Sequence, residues 1–304
     1  MKTSLLQQFA LGGVFIVALA VSSAHAQTRT WVSSAGDDGF PCSRTSPCKT
    51  LAGAFAKTAA GGEISVVDSA GYGTLTINKA ITINGEGNLA SVLTSSGSGI
   101  IVAAGASDQV ILRNLSINGT GGGTAGINIS SGNVTIDKCF IYDFTSGFIG
   151  GMGIFVGGSS STVQVDVRDT DISASSHGVL AQTSGSSVVM GLDNVRINNV
   201  GGIGVGTLSS GAFISVRNSS IRNAGTTAIS TSGGVINVIG SSLINSGTAV
   251  SANGAGSSVR LTDITMLDNN VGLAIAGGAT IITGTNNKTN NLGAAPNGGS
   301  LTNF

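Results

Sequence analysis

Apolar and polar positions alternate along most of this chain in a unit that recurs: apolar-x-apolar-x-polar-x-x-apolar. It reads Val110 to Ile117, Val134 to Ile141, Val165 to Ile172, Met190 to Ile197, Ile214 to Ile221, Ile236 to Leu243 and Val259 to Met266. The second apolar position falls at Ile83, Leu112, Ile136, Val167, Leu192, Val216, Val238 and Leu261, at intervals of 29, 24, 31, 25, 24, 22 and 23. A shorter alternating stretch follows most units, as in Gly126-Ile-Asn-Ile and Gly153-Ile-Phe-Val. A period of two predicts short strands with one face inward, and Gly, Ser and Asn between them predict turns. No segment of helix length separates the units, which excludes a βαβ fold. The pattern predicts a coil stacked on copies of itself, with parallel strands about 4.8 Å apart. Eight or nine coils give a rod of roughly 40 Å. Columns such as Ile117, Ile141, Ile172, Ile197, Ile221, Leu243 and Met266 form its core.

One stretch departs from this period. Residues 50–60 (TLAGAFAKTAA) predict a short amphipathic helix with Thr50 as N-cap and Gly61-Gly62 as its stop. It reads as a cap over the first coil, since an open stack end exposes pairing edges. The last twenty residues, 285–304, lose the alternation and read as a polar C-terminal cap or tail.

Composition narrows the function. The 304 residues include 48 glycines, 3 prolines, and 14 basic and 14 acidic side chains. Balanced charge leaves no electrostatic footprint for nucleic acid. Lys2, an apolar run from Phe9 to Val21 and Ala24-His25-Ala26 match a secretory signal peptide over 1–26. The run is too short to span a bilayer comfortably, so export to the periplasm or medium is expected, with no membrane-spanning segment after processing. Cys42 and Cys48, each preceded by proline, are expected to form a local disulfide worth about 2 kcal/mol. Zinc would need two more ligands, and Cys139 falls at a strand position. His177, before Gly178, reads as a surface turn residue.

Trp31-Val32, Gly36-Asp-Asp, Pro41-Cys to Pro47-Cys-Lys-Thr, the short helix, Glu63-Ile-Ser-Val-Val and the coils together resemble a secreted bacterial right-handed parallel β-helix protein of the pectin-lyase-like superfamily. The resemblance implies an all-β, single-domain solenoid. Its parts would be a signal (1–26), a disulfide-clipped segment with the cap helix (27–62), the β-helix (63–284) and the polar end (285–304). It does not imply one function, because the superfamily holds lyases, hydrolases, epimerases, adhesins and proteins without known activity.

Its enzymes act on polysaccharides from a groove on the outer face of the coils. Lyases resembling pectate lyase bind Ca²⁺ through clustered Asp and use an Arg or Lys base. Hydrolases resembling polygalacturonase use several Asp near a His and an Arg-x-Lys segment, and this chain has no Arg-x-Lys. The catalytic candidates are Asp169, Asp171, Asp193, Arg168 and Arg196. Aligning the coils offers a structural account instead: Arg113, Asp137, Arg168, Asp193 and Arg217 fall at one outward position and alternate in sign. Lys138 falls beside Asp169, and Asp171 beside Arg196. An apolar, Gly-rich insertion from Phe144 to Met152 marks a contact loop and gives Phe148 and Met152 as binding candidates, and Tyr142, which neighbours the charged columns, is a third. The expected function is a non-catalytic rod at a surface, in a matrix or on extracellular or cell-wall polysaccharide. The alternative is a polysaccharide lyase or glycoside hydrolase with a shallow outer site. No cofactor is expected, Ca²⁺ entering only with the lyase.

Overall fold

A computed structural model describes residues 26–146, 150–158, 161–284, 286–292 and 300–303. Residues 1–25 of the expected signal peptide and Phe148 lie outside the described residues. The chain is an all-β parallel solenoid of about nine turns, of the right-handed type. Each full coil has three strands rather than the two that the alternation suggests. They stack into three parallel sheets of twelve, ten and nine strands, here faces A, B and C in chain order.

Face A runs from Gln27–Val32 to Ser300–Asn303, face B from Ala70–Gly71 to Lys288–Asn290, and face C from Leu75–Ile77 to Val271–Ala276. The third strand arises because the eight-residue unit bends at its fifth position. Asn114, Lys138, Asp169, Asn194, Asn218, Gly240 and Asp263 all have φ between 48 and 58°. Left-handed backbone suits Asn, Asp and Gly, and one such residue turns the chain from face A to face B. Inside that corner the next residue is buried, and where it carries a hydroxyl it binds corner backbone. Ser219 Oγ donates to Arg217 O and accepts from Val195 N, at 2.6 and 3.1 Å.

The core is the inward columns. Ile117, Ile141, Ile172, Ile197, Ile221, Leu243 and Met266 are all buried, and register pairs each with the next. Face C lies against this column through glycines: a Cβ on Gly153 would stand 2.4 Å from Ile172 Cγ2.

The N-terminal cap differs from expectation in length. The helix spans only Leu51–Lys57. Thr58 leaves it in extended backbone, with its hydroxyl shared between Ala54 O and Thr30 Oγ1, and starts the strand Thr58–Val66. Thr50 caps the helix, its Oγ1 accepting from Gly53 N at 2.9 Å. Asp38 fixes that cap by accepting from Lys49 N, Thr50 N and Thr50 Oγ1. Burial raises the Asp38 pKa, but those hydrogen bonds outweigh it and hold the group below its usual value. Gln27–Val32, inside the segment set apart as 27–62, already pairs in face A.

Cys42 and Cys48 are joined, with Cα atoms 4.6 Å apart. Cys139 is free and buried, and burial pushes its thiol up to about 12. His177 is not a turn residue: it opens the strand His177–Thr183, and its Nδ1 accepts from Ile203 N on the next coil at 3.0 Å. No helix among the described residues is long and apolar enough to cross a membrane.

Candidate functional site

Charge is distributed unevenly over the three faces. The strands of face A carry five arginines (Arg29, Arg113, Arg168, Arg217, Arg260) and four acids (Glu63, Asp137, Asp166, Asp193). The nine strands of face C carry no Asp, Glu, Lys or Arg among the described residues.

Strand alternation sorts the face A side chains into outward rows. One row runs Arg113, Asp137, Arg168, Asp193, Arg217, each register-paired with the next. Two residues earlier on each strand, a second row runs Thr135, Asp166, Gly191, Ser215. A third row runs Gln164, Val189, Phe213.

These rows enclose a shallow groove of about 410 Å³. Its floor is Gly191, where a Cβ would lie 2.9 Å from Asp166 Oδ1. Asp166, Arg168, Asp193 and Arg217 supply donors and acceptors, while Val189 and Phe213, 45% and 37% exposed, supply an apolar wall. Arg168 Nη2 pairs with Asp166 Oδ2 at 3.3 Å, and Asp193 Oδ1 accepts from Asn218 Nδ2 at 2.9 Å. Among the described residues, the successive members of the charged row form no ion pair within 4 Å. Arg168 and Asp193 turn instead to Asp166 and Asn218, although the backbone sets the two side by side.

The five catalytic candidates therefore divide. Arg168 and Asp193 stand in the groove. Asp169 occupies the corner, its Oδ1 accepting from Asn194 Nδ2 at 2.6 Å. Asp171 and Arg196 lie on face B in a bidentate pair, Nε to Oδ1 and Nη2 to Oδ2. Hydrogen bonding to Asp171 raises the Arg196 pKa further. Among the described residues no three His, Cys, Asp or Glu side chains gather as metal ligands.

The three binding candidates also separate. Tyr142 is on face B, its ring 4.7 Å from that of Phe140. Met152 is not available for contact: it opens a face C strand and is buried with Ala125 and Leu180. Phe144, at the start of the insertion, is fully buried, and added Cβ atoms at Gly119 and Gly123 would strike its ring at 2.8 and 2.6 Å. This end of the insertion folds into the rod because a coil with room for a large ring gains apolar burial.

Sequence reading missed Gly191, Val189 and Phe213. The signal was present, because alternation that makes Asp193 outward also makes Gly191 and Val189 outward.

No protein-family model matches the chain, and no curated sequence does. Solved structures do. A GH136 lacto-N-biosidase from Eubacterium ramulus is 10% identical, with 91% of this chain and 68% of that chain covered, at a TM-score of 0.65. An alginate lyase from Paenibacillus sp. is 18% identical over 91% and 98% of the two chains, at 0.62. The pectate lyase Pel9A is 13% identical over 86% and 79%, at 0.56. At such identities the likeness is one of fold, and the fold of this chain is a parallel β-helix.

Proposed function

We propose that this protein is an exported β-helix rod that holds polysaccharide against face A without cleaving it. The groove over Gly191 carries the reading. It is open along the rod, and it sets guanidinium donors and carboxylate acceptors beside the exposed ring of Phe213. Sugar hydroxyls pair with such donors and acceptors, and a pyranose face packs on an apolar ring. With five cations against four anions on face A, affinity rests on hydrogen bonds and stacking and weakens little with salt. The carboxylates nearest the groove are each engaged by a cation or an amide, which suits a contact surface. Three fold neighbours named for glycoside hydrolysis or polysaccharide lysis support a polysaccharide ligand.

Those same names support a second reading, a lyase or hydrolase working through Asp193 and its neighbouring arginines. Affinity electrophoresis over mannan, xylan, alginate and polygalacturonate, with product analysis with and without Ca²⁺, separates the two. Retardation by at least one polysaccharide is expected, weakened about tenfold by Phe213→Ala and by Gly191→Val, with no new reducing ends or unsaturated uronates. Turnover that Asp193→Asn abolishes would establish the enzyme instead. Retention by none of the four would end the contact reading.

A further inference from the structure

A second concave site lies at the N-terminal end of face A. Arg29, Trp31 and Arg44 line it with Asn84, Glu86 and Asn88. Trp31 is the protein's single tryptophan, and the Arg29 guanidinium stands 5.5 Å from its ring centroid. Arg29 is held in place: its Nε and Nη2 donate to Ser65 Oγ at 3.1 and 3.0 Å, and Nη2 meets Glu63 Oε1 at 3.0 Å. The disulfide loop brings Arg44 to the site. Trp31 N donates to Cys42 O and Trp31 O accepts from Cys48 N, at 2.8 and 2.9 Å. Among the described residues Arg44 has no ion-pair partner.

Register connects this site to the groove over Gly191. Trp31 pairs with Ser65, Ser65 with Asn84, and Asn84 with Arg113, the first member of the charged row. The two sites are thus the ends of one continuous lane. From Ser65 to Asp193 the lane takes five strand steps, about 24 Å at the usual spacing. From the Trp31 coil to the Phe213 coil it takes seven, about 34 Å. Between the ends lie Arg113 and Asp137, and Arg113 Nε is buried without an acceptor from the protein. An extended pyranose chain advances by roughly one strand spacing per sugar.

We infer that the Trp31–Arg44 site and the Phe213 groove bind one linear polysaccharide chain laid along the rod axis, so that the protein measures chain length. This rests on the reading of face A as a polysaccharide contact surface. Linking two weak sites through one ligand makes the second contact intramolecular and raises apparent affinity without new contacts. A tetrasaccharide fills one site, and a decasaccharide reaches both.

The test is calorimetry on the full chain with size-fractionated tetra- and decasaccharides, one series from neutral β-mannan and one from alginate. In the series that binds, two tetrasaccharides and one decasaccharide are expected per protein, the decasaccharide tighter by at least about tenfold. Arg44→Ala and Trp31→Ala should each abolish most of that advantage and leave one tetrasaccharide bound. Arg44 is exposed on the disulfide loop, so its variant answers even if Trp31→Ala disturbs the cap. A decasaccharide no tighter than a tetrasaccharide, or an advantage untouched by Arg44→Ala, would overturn the length reading while leaving the Phe213 groove standing. Binding of neither length in either series would overturn both.

Discussion

Faces A and C are built by one repeat and face outward very differently. Inside, both present buried aliphatic residues at alternate positions: Val134 and Ile136 on face A, Ile127 and Ile129 on face C. Outside, face A carries nine ionic side chains in open rows, whereas face C carries none and covers Met152 and Leu180 with Phe155, Ile203 and Leu208. The solenoid constrains every inward position, because each must pack against a neighbour above and below. Outward positions are free to take on chemistry, and here face A has taken it. Over its middle coils face C packs on its outer side as well, through Leu180 with Phe155, Ile203 and Leu208, and its outward polar positions, such as Asn128, Ser230 and Ser251, carry no charge.

One substitution made on each face gives the largest expected contrast. Gly153→Val on face C puts a branched side chain 2.4 Å from Ile172 Cγ2 and 2.8 Å from Gly178 O, in the interior. Overpacking of this kind should cost about 3 kcal/mol or more. Gly191→Val on face A points outward, and the atom nearest its Cβ is the movable Asp166 Oδ1. Its stability should change by about 0.5 kcal/mol or less, since valine favours strand. The midpoint of the first urea transition measures both. Equal losses would show that the outer rows of face A are packed as tightly as the interior of face C.

That inside-outside difference also explains what could be read from the sequence. The coil period and the buried columns were readable because a slipped register would turn Ile136 and its counterparts to solvent. The corner was not recognised, although Asn114, Asn194 and Asn218 at the fifth position carry the residue type that left-handed backbone prefers. Lys138 at the same place obscured the signal, and without the corner faces A and B merged into one strand. The site was half readable for a related reason. Arg168 and Asp193 stood out by charge, while the groove needs Gly191, whose contribution is a missing side chain. Met152 was misplaced because an apolar, Gly-rich insertion looks the same whether its residues fold inward or outward.

A contrast within face A is expected to be smaller. Asp68, just beyond the strand Thr58–Val66, accepts from Ser33 Oγ, Ser34 N, Ser34 Oγ and the Tyr72 hydroxyl. Burial raises its pKa, but those hydrogen bonds outweigh burial and lower it from 3.8 to about 2. A depressed carboxylate stabilises the fold above its unfolded pKa, and the stabilisation is lost as pH falls through the folded value. Asp68→Asn should therefore cost roughly 1–2 kcal/mol near neutrality, after allowance for solvent screening. The difference from wild type should shrink between pH 4 and pH 2. A difference that stays constant down to pH 2 would mean that the hydrogen bonds do not depend on the charge.

The smallest effect bears most directly on whether face A is a contact surface or an electrostatic seam. Asp171 with Arg196 and Arg168 with Asp193 are both opposite charges in register on adjacent coils. Only the first pair closes, through two parallel hydrogen bonds. In the second, Arg168 turns to Asp166 and Asp193 accepts the Asn218 amide. All four groups are substantially exposed, so double-mutant cycles should give couplings within the usual 0.2–1 kcal/mol range. Asp171→Asn with Arg196→Gln should lie near the upper end, and Asp193→Asn with Arg168→Gln near the lower, vanishing at high salt. Polysaccharide should then bind with the groove's guanidinium groups already disposed to exchange partners, at little electrostatic cost. A coupling between Arg168 and Asp193 as large as that of the bidentate pair would mean that the charged row closes into a continuous ladder in solution. Its donors and acceptors would be spent on one another, and face A would hold the coils in register rather than offer a surface to a ligand.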